Sequence, residues 1–182
     1  MVITFVLGGA RSGKSSWALR YGENLRGFNK HYYVATAEAL DEEMKERIYR
    51  HRKERSDVWQ TIEEPVNLSL VLSKLNQKGT IVLIDCLTLW LSNVLLKDKD
   101  NLKRLVEDLE REISSFKETE EKWLIILSNE VGLGIVPESP LGRLFRDKAG
   151  WLNQRMAGIA DEVYFIIAGQ SLLLKGRTIE PL

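Results

Sequence analysis

The chain has 182 residues, 44% hydrophobic and 29% charged, and its 26 basic side chains balance 26 acidic ones. Because proteins that bind nucleic acid through many phosphates usually carry a basic excess, this balance argues against a dedicated nucleic-acid binder. A single cysteine, Cys86, excludes an intramolecular disulfide, and the sequence shows neither a secretion signal nor a membrane span, so we expect one cytoplasmic domain over residues 1–182.

Short apolar runs alternate with helical patterns along the chain, which predicts an α/β fold. The predicted strands are, in chain order, Val2–Leu7, Tyr32–Thr36, Thr80–Asp85, Trp123–Ser128, Glu162–Ala168 and Leu172–Lys175. The first five are nearly continuous hydrophobic runs, typical of strands buried on both faces of a parallel sheet. Only a turn at Gly169–Gln170 separates the last two, which predicts an antiparallel hairpin at the sheet edge.

The octapeptide GGARSGKS follows the first strand and opens a helical pattern. It comprises Gly8, Gly9, Ala10, Arg11, Ser12, Gly13, Lys14 and Ser15. Its glycines allow backbone N–H groups and the helix N-terminus to converge on phosphate oxygens. We expect Lys14 to reach the β- and γ-phosphates and the Ser15 hydroxyl to bind Mg²⁺. Together with the strand pattern, the octapeptide predicts a three-layer P-loop NTPase fold.

Polar residues also follow two later strands. The run TIVLIDCLT places Asp85 at the carboxyl end of its strand, where a carboxylate can bind Mg²⁺ directly or through water, and WLIILSNEVG places Asn129 and Glu130 past another strand end. Ligands of open α/β sheets bind outside the carboxyl ends of the strands, so Thr36, Asp85 and Glu130 are expected to border one crevice. A purely structural role at the strand end is the alternative for both acidic residues.

One of the two histidines lies in a run of cations that we predict to be a helix from Asp41 to about Arg55. Its acidic first turn and basic last turn complement the helix dipole, which by itself explains the charges. The face predicted to turn inward carries Leu40, Met44, Arg47, Ile48, His51 and Arg55. A histidine on such a face is commonly a core residue. Two arginines beside His51 instead favour an anion among them, a buried carboxylate or a bound phosphate, and the P-loop favours the phosphate.

These motifs occur together in the order of one known family. GGARSGKS, ERIYRHRKER, LIDCLTLWLSN and SNEVGLGIVPESPLGRLFRDKAGWLNQRMAGIADEVYFIIAG resemble the bifunctional adenosylcobinamide kinase / adenosylcobinamide-phosphate guanylyltransferases of coenzyme B12 assembly. The resemblance runs from residue 2 to about residue 176. R-I-x-x-H and N-E-V-G-x-G-I-V-P make it far more specific than the P-loop alone.

The resemblance implies two reactions on one chain. ATP or GTP first phosphorylates the aminopropanol hydroxyl of adenosylcobinamide, and Mg²⁺ assists. A histidine, here His51, then attacks the α-phosphorus of GTP and forms a guanylyl-histidine. Adenosylcobinamide phosphate finally takes up the GMP to give adenosylcobinamide-GDP.

The resemblance also implies a set of site residues. The nucleotide site would include Ala35, Thr36, Ala37, Arg52, Lys53, Glu54, Arg55 and Glu63, in addition to the P-loop. Arg47 and Arg55 would hold phosphates, and Glu63 would read guanine. Residues 131–140 are expected to form a loop at the corrinoid or nucleotide site, and the family implies a homo-oligomer, a trimer in particular. A simple P-loop kinase with a structural His51, or a nucleotide-binding switch or ATPase module, is the alternative.

Overall fold

The computed structural model describes residues 1–39, 41–53, 55–118 and 120–176, with the side chain of Arg47 outside that description. Its strands are β1 Val2–Gly8, β2 Lys30–Ala35, β3 Trp59–Glu63, β4 Thr80–Asp85, β5 Lys122–Asn129, β6 Glu162–Ile167 and β7 Gln170–Lys175. Its α-helices are α1 Lys14–Asn24, α2 Glu42–Lys53, α3 Leu68–Lys74, α4 Leu87–Lys97, α5 Leu102–Glu118 and α6 Pro140–Ile159, and a short 3₁₀ turn covers Lys99–Asn101.

Within the described residues the strands form one seven-stranded sheet in the order β3-β2-β4-β5-β1-β6-β7. Every neighbouring pair is parallel except β6 and β7, which are antiparallel. The mostly parallel sheet with a C-terminal edge hairpin confirms the predicted α/β fold. The hairpin turn lies at Ala168 and Gly169, one residue earlier than predicted, and both have a positive φ.

Helices cover both faces of the sheet and give three layers. On one face, Ile3, Phe5 and Leu7 of β1 pack in a core with apolar residues of α3, α4, α5 and α6. On the other face, Val6 packs with Ala18 of α1. This alternation along β1 is the two-residue period of a strand buried on both sides. Each large apolar side chain buried in this way contributes roughly 1.5–3 kcal/mol of hydrophobic stabilisation.

Two further helices show why the chain is helical there. The apolar stripe of α5 is buried and comprises Leu102, Leu105, Val106, Leu109, Ile113 and Phe116. At the start of α6 the Ser139 hydroxyl accepts a hydrogen bond from the Gly142 N–H at 3.1 Å, and Pro140 occupies the first turn. No helix of the described chain is long and apolar enough to cross a membrane.

Candidate active site

The phosphate loop connects the buried strand β1 to α1 at the carboxyl edge of the sheet. Gly13 precedes the first turn of α1 with a φ of +92°, and no side chain caps the helix there. The N-terminal N–H groups of α1 can therefore bind an anion. Lys14 is buried, and its ammonium donates to the carbonyl of Gly9 at 3.3 Å, across the loop. Residues 10–15 all line a cleft of about 450 Å³.

The turn of the C-terminal hairpin contacts this loop. The N–H of Gly169 donates to the carbonyl of Ser12 at 2.9 Å. A Cβ on Gly13 would lie 3.3 Å from the Cα of Gly169, so the hairpin turn packs directly against the loop. The sequence analysis treated the hairpin only as a sheet edge. The glycine-containing turn after β6 was the one signal that could have indicated a closer role.

Asp85 lines the same cleft at the end of β4, as predicted. Its carboxylate accepts a hydrogen bond of 2.7 Å from the hydroxyl of Tyr33. Burial, and next the neighbouring Asp85, raise the pKa of Tyr33 well above its usual value, so Tyr33 stays protonated and donates. The sequence analysis missed Tyr33, although strand alternation places it on the same face as Ala35, which also lines the cleft.

Helix α2 and the residues after it also line the cleft. His51, Arg52 and Arg55 line the cleft, and His51 and Arg55 are half-buried, in keeping with the predicted inward face. Arg55 donates to the backbone carbonyl of His51 at 3.0 Å and to the hydroxyl of Thr61 at 2.6 Å. Its guanidinium carbon lies 3.8 Å from the centre of the Tyr33 ring, a cation–π contact. Arg55 thus contacts both the backbone of His51 and the ring of Tyr33, whose hydroxyl donates to Asp85.

The other predicted site residues differ in whether they line the cleft. Ala37 and Glu63 line it, and Glu63 also accepts an ion-pair hydrogen bond from Arg52. Arg50, which is not among the residues predicted on the inward face of this helix, lines the cleft as well. Lys53 is exposed over the ring of Tyr49 and is not among the lining residues. Glu54 and the side chain of Arg47 lie outside the described residues.

Thr36 and Glu130 differ from the expectation that they border the crevice, because neither lines the cleft. The Thr36 side chain is fully buried, and its hydroxyl bonds both the carbonyl and the N–H of Cys86 at 2.8 Å. Glu130 accepts instead from the N–H of Gly132 at 2.6 Å. Thr36 therefore ties β2 to the turn after β4, and Glu130 shapes the loop that follows β5.

Residues 130–139 connect β5 to α6 without helix or strand, so the loop predicted for residues 131–140 is present except for Pro140, which begins α6. The loop exposes several apolar side chains, among them Leu133, Ile135 and Val136. None of these lines the cleft. A contact of this loop with the corrinoid therefore stays a prediction.

Comparison with known proteins places this chain in a family. The model of the cobinamide kinase / cobinamide phosphate guanyltransferase family matches residues 4–174. The chain belongs to this family. It is therefore a bifunctional cobinamide kinase and cobinamide phosphate guanylyltransferase of adenosylcobalamin biosynthesis, which confirms the activity that the motifs implied.

Curated relatives align with nearly the whole length of this cobinamide kinase / guanylyltransferase. The bifunctional adenosylcobalamin biosynthesis protein CobP of Pseudomonas aeruginosa is 44% identical over 96% of this chain and 98% of its own. The corresponding CobU of Escherichia coli is 36% identical over 96% of this chain and 100% of its own.

Solved structures resemble the fold of this cobinamide kinase / guanylyltransferase at low identity. A solved ATPase domain has a TM-score of 0.54 and 15% identity, and covers 97% of this chain with 77% of its own. The flagellar accessory protein FlaH of Methanocaldococcus jannaschii has a TM-score of 0.52 and 14% identity, and covers 97% of this chain with 79% of its own. These likenesses show the fold alone.

Proposed function

We propose that both reactions of the cobinamide kinase / guanylyltransferase take place in the described cleft, with His51 as the covalent nucleophile of the second. One observation carries the proposal: the phosphate loop and His51 line the same cleft. A nucleoside triphosphate whose phosphates lie on the loop therefore has an imidazole beside it.

In the kinase step the aminopropanol hydroxyl of adenosylcobinamide attacks the γ-phosphorus of ATP or GTP. The bond to the β–γ bridging oxygen breaks, and the nucleoside diphosphate leaves. Lys14 and the N–H groups of the phosphate loop stabilise the charge that develops on the phosphoryl oxygens. Lys14 is already anchored on the Gly9 carbonyl at 3.3 Å, so little reorganisation is needed when the phosphates arrive.

Ser15 and Asp85 fit a Mg²⁺ ion that accompanies the nucleotide. Both line the cleft, and they offer a hydroxyl and a carboxylate, the hard oxygen ligands that Mg²⁺ takes alongside phosphate oxygens and water. The hydrogen bond from Tyr33 to one carboxylate oxygen of Asp85 leaves the other oxygen available. Bound there, the ion would neutralise charge on the β- and γ-phosphates.

In the guanylyl step a neutral ring nitrogen of His51 attacks the α-phosphorus of GTP, and the bond to the departing pyrophosphate breaks. A phosphate oxygen of adenosylcobinamide phosphate then attacks the same phosphorus, and the P–N bond breaks to release neutral His51 and adenosylcobinamide-GDP. Two displacements replace one difficult one. The Arg55 guanidinium, placed between His51 and Tyr33, would hold the transferred phosphate.

Guanine needs an acceptor for its N1–H and its exocyclic amine, and we propose the carboxylate of Glu63. It lies at the end of β3 on the cleft wall, where Arg52 fixes its orientation. Adenine lacks this pair of donors, so the contact would favour GTP for the second step.

The test uses GTP labelled at the α-phosphorus, with Mg²⁺ and without cobinamide. Wild-type protein should retain label that survives alkali and is lost in acid, as a phosphoramidate does, and His51→Ala should retain none. His31→Ala is the matched control, because the other histidine lies half-buried in β2 with its ring 5.2 Å from that of Trp59 and does not line the cleft. It should label like the wild type. An unlabelled wild type, or label that persists in His51→Ala, would show that His51 is not the nucleophile.

A further inference from the structure

Asn129 lies at the point of the sheet between the two parts of the phosphate site. It is the last residue of β5, the strand between β1 and β4, so it stands between the phosphate loop and Asp85. It pairs in register with Gly8, where the phosphate loop begins. Asn129 lines the cleft together with Lys14 and Asp85. Neither the P-loop pattern nor the acidic strand end accounts for it.

The backbone of Asn129 is held on both sides. Its N–H donates to the hydroxyl of Thr88 in α4 at 2.6 Å, and its carbonyl accepts from the side-chain amide of Asn153 in α6 at 3.2 Å. The next residue, Glu130, donates its N–H to the carbonyl of Gly8 at 3.1 Å. Two helices and β1 therefore fix the direction of the Asn129 side chain, and none of these bonds uses that side chain.

The side-chain amide of Asn129 makes no hydrogen bond among the described residues. Its oxygen is buried and lacks a partner, and the residue as a whole is half-buried on the cleft wall. A directed amide whose NH₂ group has no partner in the protein can donate to an acceptor that enters the cleft. With the oxygen in the wall, the NH₂ group is the part of the amide that can turn to a ligand, and it is a neutral donor.

We infer that Asn129 is a further catalytic residue of the kinase step, whose amide NH₂ donates a hydrogen bond to the terminal phosphate of the bound nucleoside triphosphate. The inference rests on the proposed use of this cleft for the kinase reaction. As the γ-phosphoryl group is transferred, charge shifts onto the oxygens around the phosphorus, and a fixed donor there stabilises the transition state. A neutral amide does this without placing another carboxylate beside Asp85 and the phosphates.

The test compares two substitutions in steady-state cobinamide phosphorylation. Asn129→Ala removes the donor and should lower kcat about 100-fold, while the KM for the nucleotide changes less than about threefold. Asn129→Asp keeps the shape but presents an acceptor-only, anionic group to the phosphate, so its kcat should fall about tenfold further. The order wild type, then Ala, then Asp is specific to donation toward phosphate.

The controls separate this role from a structural one. Ser128→Ala alters the neighbouring buried residue of β5, whose hydroxyl pairs with Thr88 rather than facing the cleft, and should keep kcat within about twofold. If Asn129→Ala does not fold, Asn129→Leu keeps the volume and takes its place. A kcat within about threefold of wild type in the folded apolar variant overturns the inference. An Asp variant at least as active as Ala overturns it too, since the amide would then accept from the hydroxyl.

This outcome is independent of the covalent step. Phosphorylation of cobinamide needs no guanylyl-histidine, so failure of the His51 labelling experiment leaves the Asn129 comparison interpretable. Conversely, labelling of His51 from GTP in Asn129→Ala, at a rate within about fivefold of wild type, would confine the effect of the amide to γ-phosphoryl transfer.

Discussion

The two glycines that open the phosphate loop sit in very different surroundings. A Cβ built on Gly8 would lie 2.7 Å from the backbone carbonyl oxygen of Ile166 and 2.6 Å from the hydroxyl of Ser12. A Cβ on Gly9 would meet nothing within 4 Å. Gly8 is therefore needed for the close approach of β1 to β6, whereas Gly9 is not needed for packing.

The pair gives a stability prediction. Gly8→Ala should lower the free energy of unfolding by about 1–3 kcal/mol, because a backbone carbonyl cannot move aside as a side chain can. Gly9→Ala should change it by less than about 0.5 kcal/mol. Urea unfolding followed by tryptophan fluorescence measures both. Equal losses in the two variants would contradict the assignment of Gly8 to the β1–β6 contact.

The sequence predicted most of the residues that line the cleft, but the expectation that Thr36 lines it was wrong for a physical reason. The implied nucleotide-binding segment was continuous, from Ala35 to Ala37. An extended chain sends alternate side chains to opposite sides, so Ala35 and Ala37 line the cleft while Thr36 points into the protein and bonds Cys86. The same alternation, continued backwards, indicates Tyr33.

Among the elements, β3 is the strand that the sequence did not reveal. It lies at the sheet edge beside β2, and within it Trp59 is the buried residue, while Gln60, Thr61 and Glu63 are exposed. The strands that were predicted carry continuous apolar runs because helices cover both of their faces. An edge strand does not need apolar residues on both faces. Its pairing with β2 involves residues far apart in the chain, so a local sequence pattern does not reveal it.

The N-terminal cap of the long helix α6 offers a stability test at the scale of the element. Ser139→Ala removes the hydroxyl that accepts from the Gly142 N–H, and should lower the free energy of unfolding by about 1 kcal/mol. The control is Ser114→Ala in the interior of α5, where the hydroxyl bonds the Glu110 carbonyl of the same helix. Alanine should be neutral or slightly stabilising there. Thermal unfolding of the two variants side by side measures the difference, and a Ser139→Ala midpoint as high as that of Ser114→Ala would contradict the cap.

For the whole molecule, buried weak acids set the response to alkali. Burial raises the pKa of the Cys86 thiol from 9.0 to about 11. It also raises the pKa values of Tyr21 and Tyr33, with hydrogen-bonded Glu162 and neighbouring Asp85 adding to it respectively. Above about pH 9 the unfolded chain loses these protons while the folded chain keeps them, so stability present below that pH falls as pH rises.

Lys122 works in the opposite direction but is a single group. Burial lowers its pKa, so the unfolded state binds its proton more tightly and its contribution to stability rises with pH up to its ordinary value of 10.5. Burial, and next the neighbouring Glu162, also raise the pKa of Tyr164. With these four groups against one, the free energy of unfolding should decrease from about pH 9 to pH 10.5, each shifted group contributing at most about 1.4 kcal/mol per pH unit.

Urea unfolding across this range tests the prediction. Tyr21→Phe should flatten the decline, because it removes one of the four groups, and Tyr49→Phe, which alters an exposed side chain, should leave the slope unchanged. A wild-type stability that is constant or rising over this range would show that the buried acids do not govern it.

The contact between the phosphate loop and the C-terminal hairpin has a consequence for the order in which the chain is made. Gly8 leaves the ribosome early, yet its strand pairs with β6, and the Gly169 N–H that bonds Ser12 is synthesised more than 150 residues later. Chains fold as they emerge, and contacts between distant segments form last. The nascent chain therefore lacks the hairpin contacts of its phosphate loop until the last strands have been translated.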